Sequence, residues 1–188
     1  DPTFMGLTLV GGFGMASFFV FIASASFVYM GSFGLTQTQF SLAFAVNAIG
    51  FFGASQGAGT VAQSVGMSRM VRLAVTGFFL FTLLLFLLVL AGYGSVFVMG
   101  GCLILANACL GLVIPTSMVL ALDEHGDIAG LASSIGGTMQ MVAGGLMIAL
   151  TGPFFDGTAL PMAAAIAGCG LIAFLLTTLV LNRRTATA

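Results

Sequence analysis

Charged residues are almost absent from this sequence. Its 188 residues include four Lys or Arg and five Asp or Glu, whereas 60% are hydrophobic. A soluble domain carries about 25% charged residues, which it needs to cover its surface. The composition therefore excludes an ordinary soluble domain and predicts a protein that lies in the lipid bilayer. With no lysine and only four arginines there is also no basic patch for a phosphate backbone, so nucleic acid is excluded as a partner.

Metal-binding and catalytic residue types are equally scarce. Cys102, Cys109 and Cys169 fall inside apolar segments, and His125, the only histidine, falls in a short acidic loop. This spacing predicts neither a disulfide framework nor a metal site, and no cofactor is expected. An enzyme inside the membrane would need paired carboxylates or a serine with a general base at membrane depth, and the apolar segments offer only scattered Ser and Thr. We therefore predict that the chain is not an enzyme.

The hydrophobic residues form six segments, each long enough to span a bilayer, for which about 20 residues are required. We predict one all-α membrane domain over 1–188 with six transmembrane helices. Their expected ranges are about 4–30, 40–61, 73–91, 96–122, 128–150 and 160–181. The chain starts with Asp1-Pro2 and has no basic residues before its first apolar segment. We therefore expect that the first apolar segment is not a signal peptide and that the sequence is a piece of a longer chain.

The four arginines predict the orientation of the helices. Arg69 and Arg72 follow the second segment, and Arg183 and Arg184 follow the sixth. Positively charged loops stay in the cytoplasm. Both chain ends and the acidic loop after the fourth segment are therefore expected on the cytoplasmic side.

The most informative stretch runs from Gly111 to Gly152. It contains Pro115 within an apolar helix, then the acidic loop with Asp123, Glu124 and Asp127, then a helix rich in glycine and alanine. At 100° per residue, small residues and one amide fall on one stripe of that last helix. The stripe consists of Ala129, Ser133, Gly137, Gln140 and Gly144. Small residues let a neighbouring helix approach closely, and a buried amide needs a partner or a water-filled cavity, so we interpret this stripe as a packing and gating surface along a polar cavity.

Five residues are candidates for contact with a small molecule in such a cavity: Tyr29, Asn47, Phe51, Asn107 and Gln140. Aromatic and apolar walls with a few amides suit lipophilic substrates. The alternative for each amide is a hydrogen bond to a neighbouring helix or to a backbone carbonyl at a kink. Pro115 has two interpretations. It could kink its helix and free a carbonyl for a gating contact, or it could simply bend a packed helix. The acidic loop is interpreted as a hydrated turn rather than a gate.

The third and sixth segments are the least polar, whereas the other four carry the amides and most of the glycines. This pattern of three favours two three-helix units, inverted relative to one another, with the third and sixth helices facing lipid.

Two groups of residues resemble a known family. Pro115-Thr116-Ser117-Met118, the acidic loop, Ala129-Gly130-Leu131-Ala132-Ser133, Gly137 and Gln140 resemble the tenth and eleventh helices of the Bcr/CflA drug-resistance branch of the major facilitator superfamily. Phe27-Val28-Tyr29, Gln39-Phe40 and Phe44-Ala45-Val46-Asn47 resemble its seventh and eighth helices. The sequence departs from the branch at Ser26, where proline is usual, and at Thr116, where asparagine is usual. Gln63 stands near an acidic position of the superfamily's loop pattern.

The resemblance implies the carboxyl-terminal six-helix half of a twelve-helix transporter in the bacterial inner membrane. Its expected activity is proton-coupled efflux of lipophilic drugs, and its expected partner is the missing amino-terminal half. This chain has no acidic residue at membrane depth, so the resemblance places the proton-carrying groups in that other half. Two alternatives stay open: a sugar or metabolite facilitator of the same superfamily, which would usually show more fixed polar groups, and a structural membrane protein, which would need no cavity.

Overall fold

A computed structural model describes residues 2–123 and 126–187, with side chains described for 2–123 and 127–182. Six long helices account for most of these residues. They are α1 (Pro2–Ser26), α2 (Gln37–Val65), α3 (Met67–Leu90), α4 (Val96–Leu122), α5 (Ala129–Thr151) and α6 (Ala159–Thr187). A π-helical turn, Phe27–Ser32, extends α1.

Local sequence explains where several helices begin and end. Thr36 caps α2, because its hydroxyl accepts from Gln39 N at 3.3 Å while the Gln39 side chain accepts from Thr36 N at 2.9 Å. Ser95 caps α4 with a single hydrogen bond, which its hydroxyl accepts from Val98 N at 3.3 Å. Between α2 and α3 the only break is Gly66, whose φ of 90° is readily adopted by glycine. The connection expected between the predicted helices 40–61 and 73–91 is therefore reduced to one residue.

Five helical stretches in the described part of the chain are long and apolar enough to cross a membrane. They are Pro2–Ser32, Met67–Leu90, Val96–Leu122, Ala129–Phe154 and Ala159–Asn182. The sixth helix, α2, is not among them, because its amides, hydroxyls and glycines lower its mean hydropathy. The protein is thus a multi-pass all-helical membrane protein, with one helix more polar than the rest.

The helices form a row with a second layer behind it. α1 and α4 pack together at the centre, α2 packs on α4, and α5 packs on α1. α3 packs on α4, α6 packs on α1, and α3 and α6 pack on each other. Exchanging α1 with α4, α2 with α5 and α3 with α6 reproduces the same set of neighbours. Because three crossings reverse the direction of the chain, these two equivalent units are inverted, as predicted from the pattern of three.

Two long-range hydrogen bonds mark the two ends of the bundle. Arg72 Nη2 donates to Asn182 Oδ1 at 3.4 Å, so the start of α3 and the end of α6 lie at one end. The Ser32 hydroxyl donates to the carbonyl of Gly157, which joins the α1–α2 and α5–α6 connections at the other. The placement of Arg72 beside the end of α6 agrees with the even-numbered exits predicted from the arginines. The side chains of Arg183 and Arg184 lie outside the described residues.

Candidate functional site

The crossing of α2 and α4 is a backbone contact at glycine. A Cβ atom added to Gly111 would overlap the carbonyl oxygen of Phe51 and lie 3.1 Å from Ser55 N. The same two helices also meet closely two turns before Gly111 on α4, where a Cβ on Gly50 of α2 would lie 3.1 Å from the Ile104 side chain. Any larger residue at 111 would therefore force the two helices apart. Small residues at membrane helix crossings commonly have this role.

Two of the predicted amides meet at this crossing. Asn107 Nδ2 on α4 donates to Asn47 Oδ1 on α2 at 3.2 Å, and Asn47 Nδ2 donates to the Ala43 carbonyl at 3.1 Å. Both side chains are almost fully buried, with 4% and 3% of their surface exposed. In this conformation the two amides are hydrogen-bonded to each other across the helices. This is the alternative to substrate contact, namely a hydrogen bond to a neighbouring helix. They lie inside the bundle and not against lipid.

The crossing of α1 and α5 uses the predicted glycine stripe and its amide. The Phe19 ring of α1 occupies the space that a Cβ on Gly144 would need. Gln140 is 7% exposed, and its Nε2 would lie 2.7 Å from a Cβ on Gly11. The Ser117 hydroxyl of α4 would lie 2.9 Å from the same Cβ. The absence of a side chain at Gly11 therefore lets polar groups of α4 and α5 approach the backbone of α1.

The remainder of the predicted stripe lies away from α1. Ser133 and Gly137 are half-buried, the Ser133 hydroxyl donates to the Gly130 carbonyl at 3.0 Å, and a Cβ on Gly137 would meet no atom within 4 Å. The buried residues of α5 are Ala132, Gly136, Gln140 and Gly144, which follow a spacing of four. The structure thus brings Gln140 and Gly144 to α1 and leaves Ser133 and Gly137 beside that contact. Their gating role stays a prediction.

The two predicted aromatic residues contact other aromatic rings. Phe51 of α2 stacks on Phe18 of α1, with ring centroids 5.4 Å apart, so this contact links α1 and α2. Tyr29 lies in the π-helical turn, is 1% exposed, and packs beside Phe33 and Phe40. Tyr29 is buried and Phe51 is half-buried in this conformation, and their contact with a substrate stays a prediction.

Pro115 is exposed on α4 and borders a groove between α2 and α4. The cavity has a volume of about 450 Å³. Its lining residues are Ala58, Gly59, Ala62, Gln63, Met67, Pro115, Thr116 and Val119. The Thr116 hydroxyl next to the proline donates to the Leu112 carbonyl at 2.6 Å, a type of back-bonding that often bends helices. Proline and threonine thus place two bending features at one end of α4.

The acidic loop is only partly described. Asp123 and Asp127 are exposed, which fits a hydrated turn, whereas Glu124 and His125 lie outside the described residues. At the opposite end, Asp156 precedes α6 and accepts from the hydroxyl and the backbone N–H of Thr158 at 2.6 and 2.9 Å. These bonds stabilise the carboxylate and lower the pKa of Asp156 below its ordinary value.

The outer helices of the row, α2 and α5, each pack mainly on one neighbour and leave a long face open. On α2 the open face is apolar in its first half and polar in its second. Its residues are Leu42, Val46, Ile49 and Phe52, followed by Gln56, Thr60 and Gln63. On α5 the exposed residues of the first half combine the hydroxyls Ser134 and Thr138 with the apolar Leu131 and Ile135, and Met141, Leu146 and Leu150 follow. Because α2 ends where α5 begins, the polar half of α2 and the two hydroxyls of α5 lie at the end of the bundle that carries Arg72.

Sequence reasoning missed several residues that complete these crossings: Thr8, Gly11, Phe19 and Ser117. Thr8 is fully buried on α1, its hydroxyl has no hydrogen-bond partner among the described residues, and its methyl group would lie 3.6 Å from a Cβ on Gly136. The Gly11-Gly12 pair was an available signal for close approach on α1, because adjacent glycines are costly inside a helix unless packing requires them. Nothing in the sequence identified Phe19 as the ring that would cover Gly144.

Comparison with known proteins identifies the fold. The chain is 26% identical over 164 residues to "Uncharacterized MFS-type transporter YdgK" of Bacillus subtilis, a match that covers 87% of this chain and 40% of that protein. It is 27% identical over 179 residues to "Bicyclomycin resistance protein homolog" of Haemophilus influenzae, covering 91% of this chain and 43% of that protein. The chain is homologous to transporters of the major facilitator superfamily. No family model matches it, and no solved structure matches it significantly.

The predicted relationship to the major facilitator superfamily is confirmed by these relatives. The chain spans about two-fifths of the length of the curated relatives that it matches. Together with six helices in two equivalent units of three, this share corresponds to one half of a major facilitator fold. That superfamily consists of transporters and not of enzymes, in agreement with the lack of catalytic groups in the sequence.

Proposed function

We propose that this chain is the carboxyl-terminal half of a proton-coupled efflux transporter for lipophilic small molecules. It lies in the bacterial inner membrane with both ends in the cytoplasm, and it works against an amino-terminal six-helix half. The observation that carries the proposal is the open face on α2 and α5. Each of these helices packs mainly on one neighbour, and the exposed Gln56 and Gln63 of α2 lie at the same end of the bundle as Ser134 and Thr138 of α5.

The distribution of polarity on this face favours a cavity between two halves. The exposed amides of Gln56 and Gln63 are costly against acyl chains, so they suit a water-filled space better than lipid. These two amides lie at the end of the bundle that carries Arg72, which the arginine distribution assigns to the cytoplasm. The cavity would therefore be lined by polar groups on the cytoplasmic side and by apolar groups further in.

The chemistry of the path favours lipophilic substrates. The side chains around the two crossings are mainly Phe, Leu, Met and Val, and the amides there are Asn47, Asn107 and Gln140. Burial of apolar surface then supplies the affinity, and a few amides orient the substrate. The name of the Haemophilus relative supports a drug as the substrate class. Because the helices described here contain no acidic residue at membrane depth, the proton-carrying group is assigned to the other half.

Dye efflux from cells that express the full transporter tests this proposal. We expect Gln140→Ala to reduce efflux while the amount of protein in the membrane stays normal, because the substitution removes the amide at the α1–α5 crossing. Thr178→Ala on α6 is the matched control, since this hydroxyl donates to the Leu175 carbonyl within its own helix. Normal dye efflux in Gln140→Ala would argue against the drug path. Uptake of a sugar by the same cells would favour the facilitator instead.

A further inference from the structure

The end of α1 changes from α-helical to π-helical geometry at Phe27–Ser32. Phe33 N donates to the Val28 carbonyl at 3.3 Å, and Leu35 N donates to the Tyr29 carbonyl at 3.0 Å, so these hydrogen bonds span five and six residues. π-helical turns are rare, occur mostly as single turns within α-helices and frequently lie at functional sites. Relative to an α-helix, such a turn accommodates one additional residue.

Tyr29 adds an independent observation at the same place. Its ring is buried among Phe33, Phe40 and the neighbouring apolar side chains, and its hydroxyl has no hydrogen-bond partner among the described residues. A buried hydroxyl without a partner destabilises the conformation that contains it. The turn thus combines unfavourable helical geometry with an unfavourable polar group. Such a combination is expected where a second conformation relieves both.

The surroundings of the turn connect it to the two outer helices. Four residues after the turn, Thr36 caps α2, which packs mainly on α4. Within the turn, the Ser32 hydroxyl donates to the Gly157 carbonyl in the connection that follows α5. Conversion of the turn to an α-helix would rotate the following residues by about 100° and shift them by about 1.5 Å along the axis. A change at Tyr29 would therefore be transmitted to the beginning of α2 and to the end of α5.

We propose that Phe27–Ser32 is a two-state segment, π-helical in this structure and α-helical in a second conformation, and that its conversion moves Tyr29 out of the aromatic cluster and shifts α2 against α4. The segment would act as the switch between two states of the transport cycle. This inference rests on the proposed function for its role in transport, whereas the two conformations themselves can be measured without transport.

Distances between two spin labels test the two-state segment in the full protein. One label is attached at Gly31, where a side chain would meet no atom within 4 Å, and the other at Phe97, which is 91% exposed at the start of α4. The three native cysteines are replaced by alanine, and the protein is studied in lipid nanodiscs by pulsed electron paramagnetic resonance. We expect two distance populations, one of which matches the distance in this structure. A single population would overturn the proposal.

Tyr29→Phe identifies the cause of the switching. Because the substitution removes the unpartnered hydroxyl, we expect it to enrich the population that matches this structure by about fivefold or more. Tyr93→Phe is the control, since Tyr93 is 71% exposed in the α3–α4 connection at the same end of the bundle. Equal effects of the two substitutions, or no effect of either, would overturn the role of Tyr29. Two populations that respond to Tyr29→Phe in a protein without dye efflux would support the switch and refute the proposed transport.

Discussion

Replacement of Gly111 by alanine tests the close crossing of α2 and α4. The added Cβ would overlap the Phe51 carbonyl oxygen, which belongs to the backbone and cannot rotate away. To restore ordinary contact distances the helices must separate by about 1 Å. Overpacking of this kind costs about 1–3 kcal/mol. The separation also lengthens the 3.2 Å hydrogen bond between Asn107 and Asn47, whose loss adds about 0.5–1.5 kcal/mol.

Thermal unfolding in detergent, followed with a thiol-reactive fluorescent dye, measures this cost. Cys102 and Cys169 are buried and free, so they react when the bundle opens. We expect a clearly lower midpoint for Gly111→Ala. The control is Gly101→Ala on the same helix, where the new Cβ meets no atom within 4 Å and the midpoint should stay within the range of neutral surface substitutions, about 0.5 kcal/mol. Equal midpoints for the two variants would refute the backbone contact.

The remaining predictions concern the other crossing and the α5–α6 connection. Gly144→Ala should lower the unfolding midpoint and reduce dye efflux, because the Phe19 ring must leave its position. Gly145→Ala is the control and should change neither, since the new Cβ meets no atom within 4 Å. Equal effects of the two substitutions in these assays would contradict the α1–α5 contact. Thr158→Ala should destabilise the protein at neutral pH by removing a hydrogen bond to the Asp156 carboxylate. The pKa of Asp156 in the folded protein lies below its ordinary value of 3.8. The difference in unfolding midpoint between wild type and Thr158→Ala should therefore be full above pH 3.8 and disappear as the pH falls through the lowered pKa. A difference that does not vary with pH would show that the Asp156 carboxylate is not its cause.

The fold could be predicted because its determinants are local and strong. Long apolar segments separated by turns give the helices, and the contrast between the leucine-rich α3 and the amide-bearing α2 indicates the layers. The break at Gly66 was harder to predict. Ser64, Ser68 and two arginines favour a longer connection between the predicted helices 40–61 and 73–91, but one glycine with φ of 90° is enough to end α2 and start α3.

The candidate site could be predicted only in part. The periodicity of α5 offers two adjacent small-residue stripes, because Gly136 and Gly137 are neighbours and Gly144 and Gly145 are too. Which stripe contacts α1 depends on where Phe19 and Gly11 lie on another helix, and a single sequence does not provide that information. The π-helical turn at Tyr29 has no sequence signal, since no proline lies near it and its residues are ordinary for a membrane helix.

The two crossings are equivalent under the internal repeat, and this equivalence explains why the amides lie where they do. Asn47 is ten residues from the start of α2, and Gln140 is eleven residues from the start of α5, so each outer helix carries one buried amide at a similar depth. Each of these helices packs mainly on one neighbour, where glycine allows the close approach. A helix with a single large contact loses fewer interactions on moving than α1 or α4, each of which packs on three others. The outer helices are therefore the elements most able to change position, and a shift of α2 against α4 must change the hydrogen bond between Asn107 and Asn47.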